Sequence, residues 1–360
     1  MQVLVIISQI LLYVCFAFLF GYYILALVPE KHRPSYAMRI EILQYSVVGI
    51  LIGGFIPALY VVTFIAPRVG VMDAFVTVLT VYTVGQAWLA AVALGLVVLL
   101  CMKLWHDKSS ALYKLAQIVL LIGLVATIAW SSHASAVNFV LGFSSDLLHL
   151  LSVSIWVGVL LVMSWFSTSN ENWLAFLKWF TPVAALCFSI TILSGIFLLE
   201  AMIPSYTDAW AVDYGQGLLI KHLFIIPLAF YALMNGVFVK VRIERNASFN
   251  PIPWARLESI LLLVIFTITA IFSQQSPPMH SISASDVSPI FKLTYSGEIV
   301  SGLTVGLGVN WFTILFVLIT LLFLVLSIIA FVKKAPTWLC FTLACGIVFS
   351  AYLTLMYSVV

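Results

Sequence analysis

Six polar side chains, most of them ionisable, fall within or at the ends of long apolar runs of this sequence: His133, Asp146, His149, Glu200, Lys221 and His222. The chain is 64% hydrophobic and only 8% charged, so such residues are rare in it. An ionisable side chain at the centre of a bilayer costs about 2.5–3.5 kcal/mol on insertion scales. Residues kept at that cost usually handle an ion, a proton or a cofactor. We therefore expect this cluster to mark the functional site.

Two of these residues share one face of a helix. Asp146 and His149 are three positions apart, and Trp156 follows His149 by seven, so all three lie on one stripe. A carboxylate that accepts a hydrogen bond from one imidazole nitrogen leaves the other nitrogen to bind a metal ion. We predict His149 as a metal ligand, with Asp146 and Trp156 supporting it. The alternative is a histidine whose hydrogen bonds are satisfied by a neighbouring helix.

Other candidate ligands lie at similar depth or at the predicted outer surface. His133 precedes the helix of His149 by a short loop, and His222 lies in a later apolar run. Met279 and His280 follow two prolines in a polar stretch. Imidazole and thioether groups together suit copper, so these four residues and His149 form the predicted metal ligands. The alternatives are a solvated cap for His133 and an exposed loop for Met279 and His280.

Lys221 is an intramembrane cation that needs a carboxylate partner or must extend its ammonium group towards water. Glu200 and Asp146 are the predicted partners, and Lys221 and Glu200 would then set the local charge around the metal. The alternative is an ion pair that only fixes the packing of helices.

Apolar stretches of about 20 residues, separated by short polar loops, are typical of a helical membrane protein that crosses the bilayer many times. The pattern predicts an all-α transmembrane bundle of about ten helices, over residues 3–27, 44–65, 74–102, 111–130, 143–166, 179–202, 215–238, 258–273, 311–332 and 337–358.

The loops give the predicted orientation. Thirteen of the 16 Lys and Arg residues fall in alternate loops, which the positive-inside rule places in the cytoplasm. Both termini are then outside. This bias also explains the net charge of +3, so no nucleic-acid partner is expected. The five cysteines lie in apolar helices and form no C-x-x-C pair, which favours buried thiols over a disulfide framework.

The chain divides into three predicted parts. Residues 1–108 form an N-terminal block of three membrane helices, and residues 109–278 hold nearly all the intramembrane polar groups. Residues 279–360 contribute an extracellular loop and two C-terminal helices. No phosphate-binding loop of the G-x-x-x-x-G-K-[ST] type is present, and we do not expect an enzyme.

Several short segments in residues 110–280 resemble the copper resistance protein D (CopD) family. The matching segments occur in the family's order and contain Ser132, His133 and Ala134; Asp146, His149, Trp156 and Gly158; Tyr214, Gly215, Leu218, Leu219 and Lys221; Asn235; and Gln275, Pro277 and Pro278. The resemblance implies a multi-pass protein of the cytoplasmic membrane that moves or handles copper, often for uptake. It also implies that a separate extracytoplasmic copper-binding protein serves as a partner.

Two functional hypotheses follow. The first is copper transport through an intramembrane site that contains histidine. The second is a haem-binding redox or haem-handling membrane protein, since histidines at similar depth on neighbouring helices also hold haem iron. A third, purely structural hypothesis is that the polar cluster only locks the helices together.

Overall fold

The protein is a helical membrane bundle, which we describe from a computed structural model. The structure describes residues 1–245, 249–278, 282–295, 297–333 and 335–360. Across these residues ten helices are long and apolar enough to cross a membrane, and backbone pairing outside helices is confined to isolated bridges. The predicted all-α class and the predicted number of spans are confirmed. The placement of both termini outside the cytoplasm stays a prediction.

Within the described ranges, fourteen α-helices follow one another. Their bounds are α1 Gln2–Leu27, α2 Ile40–Val69, α3 Val71–Thr80, α4 Thr83–Leu104, α5 Ala111–Trp130, α6 His133–Val137, α7 Phe139–Phe166, α8 Trp173–Met202, α9 Asp213–Leu233, α10 Lys240–Arg245, α11 Ile252–Phe272, α12 Pro289–Thr294, α13 Trp311–Val332 and α14 Thr337–Tyr357. Helices α3, α6, α10 and α12 are too short to cross a bilayer on their own. A π-helical segment, Met234–Val239, joins α9 to α10 in one continuous crossing.

The third predicted span is not one helix. The chain breaks at Val81 and Tyr82, so the prediction of an unbroken helix over residues 74–102 is wrong. The Gln86 side chain donates to the Thr80 carbonyl at 2.7 Å and satisfies one of the carbonyls that the end of α3 leaves open. The eighth span also differs, because α11 begins at Ile252 rather than at residue 258.

The helices form two compact units. One comprises Met1–Ala201 with residues 249–252, and the other comprises Met202–Arg245 with Pro253–Val360. The boundary between Ala201 and Met202 falls inside the part predicted for residues 109–278. His133, Asp146, His149 and Glu200 therefore belong to the first unit, and Lys221 and His222 to the second.

Helix α1 lies at the centre of the first unit and packs against α2, α5 and α7. It crosses α7 where Gly21 meets Gly158 backbone to backbone. A methyl group on Gly158 would overlap the Ala17 carbonyl. Small residues at such a crossing let two membrane helices approach closely. This contact fixes the helix that carries His149.

In the second unit, α9 is held by both of its neighbours. Tyr352 on α14 donates to the Gln216 side chain at 2.5 Å, and Tyr231 donates to the Cys340 carbonyl at 2.9 Å. Phe272 of α11 packs directly on Gly217. These contacts position α9, which carries Lys221 and His222.

Gly158→Ala is expected to destabilise the protein by about 1–3 kcal/mol, because the added methyl group forces α1 and α7 apart. Thermal unfolding in detergent measures the effect. Gly54→Ala is the matched control, since its new Cβ would meet Trp88 Cδ1 at an ordinary 3.6 Å. Equal melting temperatures for the two variants would contradict the close crossing.

Candidate intramembrane metal site

The His149 side chain is held by a serine of the next helix. Its Nδ1 lies 3.1 Å from the Ser194 hydroxyl on α8. The Ser194 hydroxyl also lies 2.7 Å from the Ile190 carbonyl, and when it donates to that carbonyl the serine oxygen accepts from Nδ1–H. In that arrangement the imidazole carries its lone pair on Nε2. This is the tautomer in which a histidine ligates a metal through Nε2.

Further contacts follow the line along which α7 faces α8, which we call the α7–α8 seam. The Ser152 hydroxyl lies 2.9 Å from that of Thr191, and the Trp156 ring meets Phe188 edge to face at 5.5 Å. His149, Ser152 and Trp156 are spaced so that they face α8 together. The buried indole N–H of Trp156 has no hydrogen-bond partner among the residues that the structure describes. The α7–α8 seam therefore fixes the imidazole of His149 at one position and carries the indole N–H donor of Trp156 further along.

Asp146 is associated with the turn that precedes α7. Its carboxyl group interacts with the Ser132 hydroxyl, which also caps α6 by accepting from the Ser135 amide at 3.2 Å. His133 is the first residue of α6 and is exposed. Ser132 thus interacts with Asp146, and Ser194 lies beside His149 Nδ1; the predicted bond between Asp146 and His149 stays a prediction.

His222 is held by a tyrosine from the loop before α9. Its Nδ1 lies 2.7 Å from the Tyr206 hydroxyl, and Tyr206 packs edge to face on Trp210 at 5.8 Å. Burial raises the pKa of the Tyr206 phenol to about 12, so the phenol stays protonated at physiological pH. Either the phenol donates to Nδ1, or Nδ1–H donates to the phenolic oxygen. The second arrangement leaves the lone pair on Nε2, as metal binding requires.

The loop that carries Tyr206 is itself held in place by hydrogen bonds. Three hydrogen bonds hold it to other parts of the second unit: Gln216 Nε2 donates to the Trp210 carbonyl, the Val305 amide to Asp208 Oδ1 at 2.7 Å, and the Ser288 amide to the Ala211 carbonyl at 2.7 Å. Because this loop is already ordered, the Tyr206 phenol can orient the His222 imidazole with little further loss of conformational entropy.

Lys221 packs against an aromatic ring. Its ammonium group lies 5.2 Å from the centre of the Phe272 ring, and Tyr214 meets the same ring edge to face at 5.2 Å. Gly217 lies between Tyr214 and Lys221 along α9 and lets Phe272 approach the backbone. The predicted carboxylate partners, Asp146 and Glu200, belong to the other unit, so that ion pairing stays a prediction. The cation–π contact stabilises the ammonium group within its own unit.

The remaining predicted residues stay predictions. Glu200 is exposed near the end of α8, and Met279 and His280 lie outside the described residues. Within the part of the chain that the structure describes, no three His, Cys, Asp or Glu side chains come together in a preformed metal cluster. Among the described residues, His149 and His222 each have a ring nitrogen that is hydrogen-bonded to a hydroxyl group of another segment.

Sequence reasoning missed the two residues that orient these rings. Ser194 is one of several small polar residues on α8, and nothing in its spacing distinguishes it. Tyr206 lies outside every apolar run. The only available signal is indirect, since an imidazole at membrane depth requires a partner on another segment.

Two comparisons with known proteins agree with each other. Residues 174–272 match the copper resistance protein D family. The copper transport protein CutJ of Bacillus subtilis (strain 168) is 29% identical over 181 residues, which cover 47% of this chain and 32% of CutJ. The chain thus spans about a third of the length of this curated relative. No solved structure matches the chain.

The matched family segment begins in α8 and ends with α11. It contains Ser194, Tyr206 and His222, whereas His133 and His149 precede it. The family resemblance first drawn from short segments is confirmed.

Ser194→Ala is expected to change the tautomer of His149, because the variant loses the oxygen that accepts from Nδ1–H. Nitrogen-15 NMR of histidine-labelled protein in detergent reports which ring nitrogen carries the proton. Ser189→Ala is the matched control, since Ser189 makes the same type of bond to its own helix at 2.9 Å but is exposed. An unchanged His149 spectrum in Ser194→Ala would contradict the assigned bond.

Proposed function

Because residues 174–272 belong to the copper resistance protein D family, we propose that this chain carries copper ions across the cytoplasmic membrane. The observation that supports copper is the agreement of the two matches, since both the family and CutJ are named for it and neither is named for haem. The ten apolar crossings suit a transporter better than an enzyme.

The ligand that we propose first is His149. The Ser194 hydroxyl bonds to its Nδ1, and in the tautomer in which Nδ1–H donates to the serine the Nε2 lone pair is the copper ligand. Imidazole is a good ligand for copper in either oxidation state. The indole N–H of Trp156 lies on the same seam and is available to a water or an anion that accompanies the ion.

His222 is the corresponding ligand of the second unit. Tyr206 orients its ring as Ser194 orients that of His149, so each unit presents one imidazole with a hydrogen-bonded Nδ1. We propose each histidine as a copper ligand in its own right. Lys221 and Glu200 adjust the charge along the path, and the Phe272 ring stabilises the ammonium group of Lys221.

We propose His133 in the first unit, and Met279 and His280 in the second, as residues that bind copper on the outer side. We also propose that Asp146, whose carboxyl group interacts with Ser132, supports the copper ligands of the first unit. A separate extracytoplasmic copper-binding protein is proposed to deliver the ion. The orientation predicted from the basic loops places these residues on the outer side.

His149→Ala is expected to reduce copper accumulation by cells at least about tenfold, the range seen when a metal site loses an essential contact. Inductively coupled plasma mass spectrometry of washed cells measures it, with protein levels matched by immunoblot. His106→Ala is the control, because His106 is exposed and lies outside the spans. Undiminished accumulation in His149→Ala would refute the proposed site.

A further inference from the structure

A buried carboxyl group lies in the second unit, on a helix beside the inner end of the crossing that carries His222. Glu258 on α11 is only 4% exposed. Acidic residues within membrane-spanning helices are rare and commonly mark ion or proton pathways. The sequence analysis did not single out this residue, which lies at the first position of the eighth predicted span.

The Glu258 carboxyl group is oriented by an amide from the neighbouring crossing. Asn235 Nδ2 donates to Glu258 Oε2 at 2.7 Å and approaches the Trp254 carbonyl at 3.2 Å. Asn235 is itself 8% exposed. Both hydrogens of its amide group therefore have acceptors on α11, and its orientation is fixed.

The backbone at Asn235 departs from regular α-helix. Asn235 lies in the π-helical segment Met234–Val239. Single π-helical turns inside α-helices are uncommon and frequently occur at functional sites. The distorted turn presents the Asn235 amide to α11.

Arg242, which follows this turn, bonds to the end of another helix. Arg242 Nη2 donates to the Phe331 carbonyl at 2.9 Å, and its guanidinium lies 4.2 Å over the Phe331 ring. Arg242 thereby caps the end of α13, where cations are favoured. Lys240, Arg242 and Arg245 also indicate that this end of the crossing faces the cytoplasm.

The distances along the helix place the pair on the inner side. Asn235 follows His222 by 13 residues, which is about 20 Å along a helix. Glu258 lies six residues past the start of α11, or about 9 Å from the cytoplasmic end of that helix. A hydrocarbon core is about 30 Å thick. The crossing formed by α9 and α10 thus carries an oriented imidazole towards its outer end, and its inner end lies beside the oriented carboxyl group of Glu258 on α11.

We propose that Asn235 and Glu258 form an inner cation-binding station, at which the copper ion pauses before it leaves the membrane. This inference rests on the proposed function and extends it to the inner side. A carboxylate compensates the charge of a cation in a medium of low dielectric constant. Oxygen ligands hold copper less firmly than imidazole does, and an exit station must bind weakly enough to release its ion.

The structural alternative is that the pair only packs two helices together. Glu258→Gln distinguishes the packing role from the cation-binding role. Glutamine keeps the shape of the side chain and an oxygen that accepts from Asn235, but it lacks the negative charge. If the pair only packs the helices together, this variant should transport copper normally. If the pair binds the cation, this variant should lose copper transport.

The experiment compares copper accumulation by cells expressing wild-type protein, Glu258→Gln, Glu258→Asp and Glu244→Gln, with an empty-vector strain. Glu244 is exposed on α10 and is the matched control. We expect Glu258→Gln to lower accumulation at least about tenfold, since a full charge interaction at low dielectric constant is removed. Glu258→Asp retains the charge and should keep part of the transport, and Glu244→Gln should equal wild type. The melting temperature of Glu258→Gln in detergent should be unchanged.

Wild-type accumulation by Glu258→Gln would overturn the station and leave the proposed copper transport standing. A large fall in its melting temperature, with transport lost equally in Glu258→Asp, would assign the pair to packing and also overturn it. Equal accumulation by the wild-type and empty-vector strains would overturn the proposed function and this inference with it.

Discussion

Polar groups inside a bilayer are stable only where other protein groups hydrogen-bond to them, because hydrocarbon offers no such partners. The arrangement of this protein follows from that constraint. His149 depends on Ser194, His222 on Tyr206, and Glu258 on Asn235. In each pair the second residue comes from a different segment of the chain. The hydrogen bond that satisfies the buried group therefore also fixes its orientation.

Close packing of the backbone makes these pairs possible. Gly158 brings α7 against α1, and Gly217 lets Phe272 lie on α9 beneath the ammonium group of Lys221. Without these contacts the helices would be free to rotate, and the distance between an imidazole and its partner would not be maintained. The glycines thus support the site without contacting an ion.

The sequence predicted the number of crossings because the thickness of the bilayer fixes the length of each apolar run. It did not predict the break at Val81, which depends on a close approach at Gly85 and on the Gln86 side chain. The histidines were evident because ionisable residues are rare in apolar runs. Their partners were not, because Ser194 and Tyr206 are distant in sequence and common in type, and only the fold brings them near.

The central claim is that His149 ligates copper in the membrane. The most direct test is elemental analysis of copper and iron per chain in purified wild-type protein and His149→Ala. We expect copper in the wild-type protein and a clear loss of it in the variant. Equal copper in both proteins would contradict the assignment of His149, and iron in place of copper would contradict the copper function itself.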